Sequence, residues 1–317
     1  MAEPTKTLLM TGASRGLGRA AAERLLRDRP DQLLLVVVRG KEAGHRLARD
    51  LAARTGNANV RAVSCDLGSL PEVRAAADAV RKMLDEREVP PLTGFLANAG
   101  VQMASAAKAT ADGFEATFGI NVLANYLLLR LLGDRFEPGA RIVVTGSESH
   151  FGDFRHNIGL VPAPRWTDPR SLARPGSGPE AETVTAGRRA YSTSKLGVQY
   201  LVHAFARHLP EVDVYAYTPR LVPGTGLVRD AGAIQRFGFR WLLPLLWATP
   251  IASSPQSAGV KLAAAMTAAK PAGSGAYLDR GRVVPSSPES YDEEREEELW
   301  RCAAELCGVP AGPSPAL

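Results

Sequence analysis

The sequence is poor in cysteine and in aromatic residues, and each shortage excludes a class of protein. It has three cysteines (Cys65, Cys302 and Cys307) and 6% aromatic residues among 317. The cysteine spacing fits neither a disulfide framework nor a metal site, so we expect no bound metal and a reducing, cytoplasmic location. Because no basic run is interleaved with aromatic residues, we expect no nucleic-acid partner.

Long apolar runs are also missing. No stretch reaches the roughly 20 apolar residues that cross a bilayer, and the run Leu8–Met10 is too short for a secretory signal. We therefore expect no transmembrane segment. The most apolar segment, Trp241–Ala248, is interrupted by Pro244. We expect it to form a lid or wall over a binding site; a subunit interface and a contact with a membrane surface are the alternatives.

What the chain does contain is an alternation of short β-branched runs with longer helical patterns, which predicts a parallel sheet covered by helices on both faces. The predicted strands are Lys6–Thr11, Leu33–Arg39, Val60–Cys65, Leu92–Ala97, Arg141–Thr145 and Val212–Thr218. The predicted helices are Gly16–Arg29, Lys41–Arg54, Leu70–Glu88, Gly113–Arg135 and Ala190–Leu209. This order predicts an α/β fold with a Rossmann-type, doubly wound sheet, and we expect residues 1–317 to form a single domain.

Three segments interrupt the alternation. Gly152–Thr185 is rich in proline, glycine and arginine and is predicted to be an irregular insertion. Residues 223–255 combine glycines with the apolar run and are predicted to cover a substrate site. Residues 286–317 are a predicted C-terminal extension, in which an acidic stretch from Glu289 starts an amphipathic helix that ends near Gly308. A disordered, proline-rich tail is expected after that helix.

A glycine-rich turn joins the first predicted strand to the first predicted helix. Gly12 follows the strand, and Gly16 and Gly18 open the helix. Glycine allows a tight turn, a close approach of the backbone to a diphosphate, and close packing of helix on strand. The helix N-terminus adds free N–H groups and a partial positive charge. The turn therefore predicts a dinucleotide site.

Tyr191 and Lys195 stand four residues apart in a predicted helix. Because this spacing is about one helical turn, the phenol and the ammonium project from the same face. A neighbouring cation stabilises a phenolate and lowers the pKa of the phenol towards neutral pH. An acid–base pair that accompanies a dinucleotide site predicts a redox enzyme.

These motifs occur together with Asn98-Ala99-Gly100, Asn121 and Ser147 in one order along the chain. In that order and strand context, residues 5–230 resemble the short-chain dehydrogenase/reductase family. The long insertion and Thr225-Gly226-Leu227 are most similar in shape to the branch of retinol dehydrogenases and protochlorophyllide reductases. A photochemical reductase usually has a cysteine near its tyrosine; none lies in the interval between Ser147 and Tyr191, so the resemblance does not imply that activity.

The resemblance implies where a nicotinamide dinucleotide, the family's cofactor, makes its contacts. Asp66 and Leu67 lie on the adenine side, and Pro219 and Thr225 lie on the nicotinamide side. The full set of implied cofactor contacts is Gly12, Ser14, Arg15, Gly16, Leu17, Gly18, Arg39, Asp66, Leu67, Asn98, Ala99, Gly100, Tyr191, Lys195, Pro219 and Thr225. One departure affects the nicotinamide side, because relatives have Pro-Gly where this chain has Pro219-Arg220.

The residue that closes the second strand separates NAD from NADP in this fold. A carboxylate there binds the ribose 2′-OH, whereas a cation accommodates a 2′-phosphate. This chain has Arg39 and no carboxylate until Glu42, with Arg15 in the glycine turn as a second cation. Arginine suits phosphate by geometry and by charge. We therefore predict NADP(H); the alternative is that both arginines are solvated surface residues.

By the same resemblance, Tyr191 gives or takes the proton at the substrate oxygen, and Lys195 lowers the pKa of Tyr191 and holds the nicotinamide ribose. Ser147 matches the serine that hydrogen-bonds the substrate oxygen, with Ser149 as its alternative. Asn121 matches the asparagine that helps to hold a water linking the lysine to solvent. No metal takes part in this chemistry.

The predicted function is that of an NADPH-dependent carbonyl reductase or alcohol dehydrogenase for an apolar small-molecule ketone, aldehyde or alcohol. The alternatives are a reductase of C=C bonds or imines and a non-catalytic dinucleotide-binding regulator. Family members are commonly homodimers or homotetramers that pair through helices matching Gly113–Arg135 and Ala190–Leu209. The insertion or the C-terminal extension could instead cover those helices.

Overall fold

The computed structural model describes residues 3–222 and 253–312 of the chain. Its strands are β1 (Lys6–Thr11), β2 (Gln32–Val38), β3 (Val60–Ser64), β4 (Leu92–Ala97), β5 (Phe136–Thr145), β6 (Asp213–Thr218), β7 (Tyr277–Asp279) and β8 (Arg282–Val284). They form one eight-stranded sheet in the order β3-β2-β1-β4-β5-β6-β7-β8. All neighbours are parallel except β8, which is antiparallel to β7. This is the predicted Rossmann-type sheet in a single α/β domain.

Helices cover both faces of the sheet. They are α1 (Gly16–Asp28), α2 (Lys41–Thr55), α3 (Leu70–Asp85), α4 (Ala116–Phe118), α5 (Ala124–Leu132), α6 (Phe154–Asn157), α7 (Pro169–Leu172), α8 (Val184–His208), α9 (Pro255–Thr267) and α10 (Glu293–Leu306). A π-helical turn, Gly119–Leu123, joins α4 to α5. Short 3₁₀ helices occupy Gly133–Arg135, Glu148–Phe151 and Pro288–Ser290.

The central strands are buried along most of their length because helices cover both faces of the sheet. Residues 7–11 of β1 and 33–37 of β2 are all buried. Their cores, Leu-Leu-Met and Leu-Leu-Leu-Val-Val, are the continuous apolar runs typical of a doubly covered parallel sheet. β1 and β4 begin and end at the predicted residues.

On one face, α9 packs directly on α1. A Cβ at Gly259 would lie 2.5 Å from Ala20 Cβ and 2.7 Å from the Leu17 carbonyl oxygen. Because a larger residue has no room at position 259, glycine allows the two helices to come this close. The contact braces the helix that follows the glycine-rich turn.

On the other face, α10 lies across α5 and α8. Trp300 of α10 is almost fully buried, with its indole edge-on to Tyr126 at 5.1 Å and to Phe205 at 4.9 Å between ring centroids. The Arg130 guanidinium lies 4.8 Å from the indole centroid. The C-terminal extension therefore packs on α8 and reaches α5 through Trp300, so it covers part of the surface that was expected to pair subunits.

Several helix boundaries differ from the predicted ones for local reasons. α3 ends three residues early, because Arg87 has a positive φ of 56°. The helix expected from Gly113 begins at Ala116, since the Glu115 carboxylate caps it by accepting from two backbone N–H groups. α8 begins six residues earlier than predicted, where the Thr183 hydroxyl accepts from an N–H of the first turn.

Apart from the four-residue helices α6 and α7 and the short 3₁₀ and π turns, three elements were not predicted: α9, β7 and β8. α9 is rich in small apolar residues and lacks a clear helical period. Its start signal is present, because Ser254 accepts from the Ser257 N–H at 3.2 Å and Pro255 follows at the first helical position. β7 and β8 have three residues each, which is too short for a recognisable pattern.

Two predicted segments lie partly outside the described residues. Of the predicted cover, residues 223–255, only the last three are described, and Trp241–Ala248 lies wholly outside. The tail is described to residue 312. Its beginning is not disordered as expected, because the Pro310 carbonyl accepts from Arg130 and the Ala311 carbonyl accepts from Trp300, each at 2.8 Å.

Within the described ranges, one helical stretch, Ala116–Arg135, is long and apolar enough to cross a bilayer. Its apolar window is 89% buried inside the protein. Core helices of globular proteins meet the same criterion, so the stretch is weak evidence for a membrane span.

We predict that Trp300→Ala lowers the free energy of unfolding by about 3–5 kcal/mol, because it empties a buried aromatic site. Urea denaturation followed by circular dichroism measures this loss. Trp300→Phe, which keeps much of the contact with Tyr126 and Phe205, should cost clearly less. A loss below about 1 kcal/mol for the alanine variant would contradict the anchoring of α10 at this residue.

Candidate active site

The carboxyl ends of four neighbouring parallel strands form the edge where the predicted site residues meet. Thr11 of β1 is level with Ala97 of β4, and Ala97 is level with Val144 of β5. Thr145 is level with Tyr217 of β6. The strand order reverses between β1 and β4, and open α/β sheets bind ligands at such a point. The segments that follow these strands carry most of the predicted site.

The glycine turn after β1 is a cradle in which side chains have no room. Gly12 has a φ of +72°, and a Cβ there would lie 2.7 Å from Asn98 Nδ2. A Cβ at Gly18 would lie 2.1 Å from the Gly12 carbonyl oxygen. That oxygen accepts from Asn98 Nδ2 at 3.1 Å, and Thr11 Oγ1 accepts from the Ala99 N–H at 3.0 Å. These bonds hold the turns after β1 and β4 side by side.

The N-terminus of α1 completes this cradle. Arg15 is the N-cap residue of α1, and its side chain forms no capping hydrogen bond within the described part of the chain. The first turn of α1 contains no acidic residue. Unsatisfied N–H groups and the helix dipole make such an N-terminus an anion site. Ser14 is exposed, while Gly16 (φ +57°) and Leu17 are half-buried. The backbone donors of this turn suit an anion such as a diphosphate, and glycine at positions 12 and 18 allows the turns after β1 and β4 to pack closely around them.

Two arginines lie beyond the ends of β1 and β2, which are neighbours in the sheet. Arg39 is 68% exposed, and its Nη1 is 3.6 Å from Asp66 Oδ2. Asp66 is itself held by the Gly68 N–H, which donates to its Oδ1 at 3.0 Å. Arg15 is also exposed, and Leu67 is half-buried against the core. Both guanidinium groups are therefore accessible to a phosphate.

Tyr191 and Lys195 project from α8 towards this edge. Only 7% of Tyr191 and 4% of Lys195 is exposed. Lys195 Nζ donates to the Thr145 carbonyl at 2.7 Å and lies 5.7 Å from the centroid of the Tyr191 ring. A Cβ at Gly100 would lie 3.6 Å from Lys195 Nζ. The pair therefore stands at the ends of β4 and β5.

The phenol is less acidic than expected. Burial raises the pKa of Tyr191 to about 12, and the Ser147 side chain is the interaction that opposes this rise. Burial lowers the pKa of Lys195 to about 8. The ammonium, which was expected to lower the phenol pKa, is bonded to Thr145 and does not outweigh burial. The phenol therefore carries its proton at neutral pH, and the ammonium is mostly charged.

Ser147 follows β5 and caps the short helix Glu148–Phe151. Its hydroxyl accepts from the Ser149 N–H at 3.2 Å, and its side chain is the neighbour that lowers the pKa of Tyr191. Ser149, the alternative candidate for binding the substrate oxygen, is buried, and it contacts Ser147 through its backbone N–H. Of the two serines, Ser147 is the one that the fold brings to Tyr191.

Asn121 lies in the π-helical turn, a wider turn that is frequent at functional sites. Its Oδ1 accepts from the Val101 N–H at 2.8 Å, and its Nδ2 donates to the Val101 carbonyl at 2.9 Å and to Ser194 Oγ at 3.0 Å. A Cβ at Gly100 would lie 3.3 Å from Asn121 Oδ1. Asn121 therefore fixes the segment after β4 against α8, beside Lys195. The π turn itself was not predicted from the sequence.

This chain has Pro219-Arg220 where relatives have Pro-Gly, and the structure shows how an arginine is accommodated in place of the glycine. Pro219 is buried, and Arg220 has a φ of +62°, a conformation that favours glycine. Arg220 Nη2 is 2.7 Å from Asp279 Oδ2, and its Nε is 3.4 Å from Glu148 Oε1. These ion pairs support the conformation in this chain. Asp279 and Glu148 were missed because no sequence pattern links residues so far apart; Thr225 lies outside the described residues.

Comparisons with known proteins identify the family. The family model for short chain dehydrogenases matches residues 6–158. Human retinol dehydrogenase 13 is 30% identical over 97% of this chain and 86% of its own length. A candidate daunorubicin C-13 ketoreductase, DnrU of Streptomyces sp. (strain C5), is 30% identical over 97% of this chain and 94% of its own length.

Solved structures share the fold. Angucycline C-6 ketoreductase LanV with bound NADP has a TM-score of 0.62 and is 22% identical, covering 88% of this chain and 95% of LanV. A 3-ketoacyl-(acyl-carrier-protein) reductase from Brucella melitensis, complexed with NADH, has a TM-score of 0.58 and is 19% identical, covering 88% of this chain and 99% of that protein. Sequence and fold agree, and the chain is an oxidoreductase that belongs to the short-chain dehydrogenase/reductase family, in its retinol dehydrogenase-like branch.

Proposed function

We propose that the protein is an NADPH-dependent carbonyl reductase, or in reverse an alcohol dehydrogenase, for an apolar small molecule. The observation that carries this proposal is the buried Tyr191 phenol, whose pKa the Ser147 side chain lowers and whose ring lies 5.7 Å from Lys195 Nζ, at the same sheet edge as the glycine cradle. This arrangement offers a proton at a protected place beside a dinucleotide site.

Three side chains take part in the proposed proton transfer, each with its own role. With a pKa of about 12, the Tyr191 phenol keeps its proton at neutral pH and donates it to the substrate oxygen. The Ser147 hydroxyl binds and orients the same oxygen. Lys195, with a pKa of about 8, carries the charge that stabilises the phenolate left behind. Burial strengthens this electrostatic effect because little water screens it. A bound nicotinamide supplies or accepts the hydride.

The proposed cofactor is NADP(H). Arg39 and Arg15 stand exposed beyond the ends of neighbouring strands, where a 2′-phosphate would need positive charge. LanV holds NADP, whereas the Brucella reductase holds NADH. Since the fold accommodates both cofactors, support for NADP(H) comes from the two arginines of this chain.

The proposed substrate class draws on the relatives. Relatives that align with 96–97% of this chain are named for retinol, for a polyprenol and for a ketone of daunorubicin. Each name refers to an alcohol or to a ketone, the two functional groups that the proposed reaction interconverts. The residues predicted to form an apolar wall, Trp241–Ala248, lie outside the described part of the chain.

NADPH oxidation measured against matched ketones, aldehydes, enones and imines tests the proposed reaction. Turnover of ketones or aldehydes supports it. Turnover confined to enones or imines would instead indicate a C=C or imine reductase. Tight NADPH binding without turnover of any compound would indicate a dinucleotide-binding regulator.

A cytoplasmic location and a homodimer or homotetramer remain predictions. Pairing through α5 and α8 would require α10 to move aside, because Trp300 fills the space between Tyr126 and Phe205. An oligomer of this chain would therefore use another surface or a displaced α10. Sedimentation velocity at several concentrations measures the state.

We predict that Tyr191→Phe lowers turnover by about 10²–10⁴-fold, because it removes the group that donates the proton. NADPH affinity, measured by fluorescence titration, should stay close to that of the wild type. Tyr200→Phe is the matched control: Tyr200 is a buried tyrosine of the same helix, and its hydroxyl donates to the Glu289 carbonyl at 3.0 Å. Wild-type turnover in Tyr191→Phe would refute the assignment.

We predict that Arg39→Asp raises the Kd of NADPH by at least about tenfold, because it replaces a charge-assisted phosphate contact with a repulsive carboxylate. The Kd of NADH should change little. Arg61→Asp serves as the control, since Arg61 lies on β3 and its Nη1 donates to the Glu88 carbonyl at 3.1 Å. An unchanged NADPH-to-NADH ratio in Arg39→Asp would exclude Arg39 as the phosphate contact.

The pH dependence of turnover follows from Lys195. Its pKa of about 8 lies below the ordinary value for lysine, so the ammonium is present below pH 8 and lost above it. Carbonyl reduction should therefore be constant towards lower pH and fall as the pH rises through about 8. Lys195→Arg, if it folds, should extend the plateau, because arginine stays charged. Reduction that accelerates above pH 8 would contradict this role.

A further inference from the structure

His150 is fully buried three residues after Ser147. Both its backbone N–H and its ring Nδ1 point to one acceptor, the Ser147 carbonyl. On the other side of the ring, Nε2 is 2.9 Å from Ser286 Oγ and 3.3 Å from the Ser287 backbone nitrogen. The imidazole therefore connects the segment that carries Ser147 to the residues that follow β8.

The hydrogen-bond partners of the His150 ring determine which of its two nitrogens carries the hydrogen. A carbonyl can only accept, so Nδ1 carries the hydrogen that is donated to Ser147. Nε2 then has a lone pair that accepts from the Ser287 N–H, with the Ser286 hydroxyl beside it at 2.9 Å. Burial lowers the pKa of His150 to about 4, which agrees with a neutral ring at physiological pH.

Packing holds the ring in this orientation. Its centroid lies 4.4 Å from that of Phe151 and 5.2 Å from that of Tyr277, a residue of β7. Ser286 Oγ also lies 3.5 Å from Gln199 Oε1 on α8, one turn beyond Lys195. The ring is therefore fixed by the C-terminal strands as well as by the helix that carries Tyr191.

Ser147 needs such support because little regular structure holds it. It lies between the end of β5 and a single 3₁₀ turn, in an extended conformation with φ −164° and ψ 146°. A small rotation of its peptide group would move the hydroxyl away from Tyr191. Catalytic groups lose much of their effect when they are misplaced by about 1 Å.

We propose that His150 is a positioning residue that holds Ser147 against Tyr191 by fastening the Ser147 carbonyl to the Ser286-Ser287 backbone. The proposal rests on the proposed function, in which Ser147 orients the substrate oxygen. It assigns a role in the site to residues after β8 that carry no family motif.

The test compares His150→Leu with His150→Asn by steady-state kinetics. His150→Leu removes both sets of hydrogen bonds and should lower kcat by about tenfold or more, with the Kd of NADPH unchanged. His150→Asn keeps a short amide donor for the Ser147 carbonyl and should restore part of the loss. His203→Leu is the control, because His203 joins α8 to Glu296 and the Ser290 carbonyl without touching Ser147.

A double-mutant cycle separates positioning from general loosening. In a Ser147→Ala background, His150→Leu should have little further effect on kcat, because the residue through which it acts has already lost its hydroxyl. An equal loss in both backgrounds would overturn the proposal. So would an equal loss in His203→Leu.

Hydrogen–deuterium exchange gives a readout that needs no substrate. His150→Leu should speed exchange of the backbone amides in residues 146–152 and in residues 284–290, whereas His203→Leu should leave residues 146–152 unchanged. Unchanged exchange in residues 146–152 of His150→Leu would overturn the proposal. A wild-type protein without carbonyl turnover would instead refute the proposed function, and the exchange result would still decide whether His150 fastens the two segments.

Discussion

The hydrogen bond from Lys195 to the Thr145 carbonyl joins the helix that carries the proton donor to the end of a central strand. The rest of the site depends on this junction, because parallel register has already brought the ends of β1, β4, β5 and β6 to one edge. Through it, one face of α8 lies at the end of β5, beside Gly100 in the turn after β4. The same burial that fixes the junction raises the pKa of Tyr191 and lowers that of Lys195.

Small residues and ion pairs keep the surrounding loops at that edge. Gly12 and Gly18 allow the turns after β1 and β4 to pack closely, and the Asn98 amide holds the neighbouring turn beside them. Two further side chains hold loops at this edge. Asn121 binds the Val101 backbone, and Arg220 forms ion pairs with Glu148 and Asp279. Polar groups thus fix the loops, while apolar contacts fix the sheet.

Much of this arrangement could be predicted from the sequence, because it depends on local patterns. The apolar runs of β1 and β4 and the four-residue spacing of Tyr191 and Lys195 are signals of that kind. The rest depends on distant partners. β7 and β8 exist because they extend the sheet beside β6, and the positive φ of Arg220 is supported by a carboxylate 59 residues away. The π turn at Asn121 likewise reflects the contact with Val101 more than any local preference.

The placement of α10 has a consequence for how this enzyme tolerates shortening. A chain that ended soon after β6 would still contain every described motif residue of the family. It would, however, expose Tyr126 and Phe205, and it would lack Ser286 and Ser287, which contact His150. Proteolysis or a stop codon before Trp300 would therefore remove the packing on Tyr126 and Phe205 without touching a motif residue. Fusion partners and purification tags are better attached at the opposite terminus, away from the residues that close this surface.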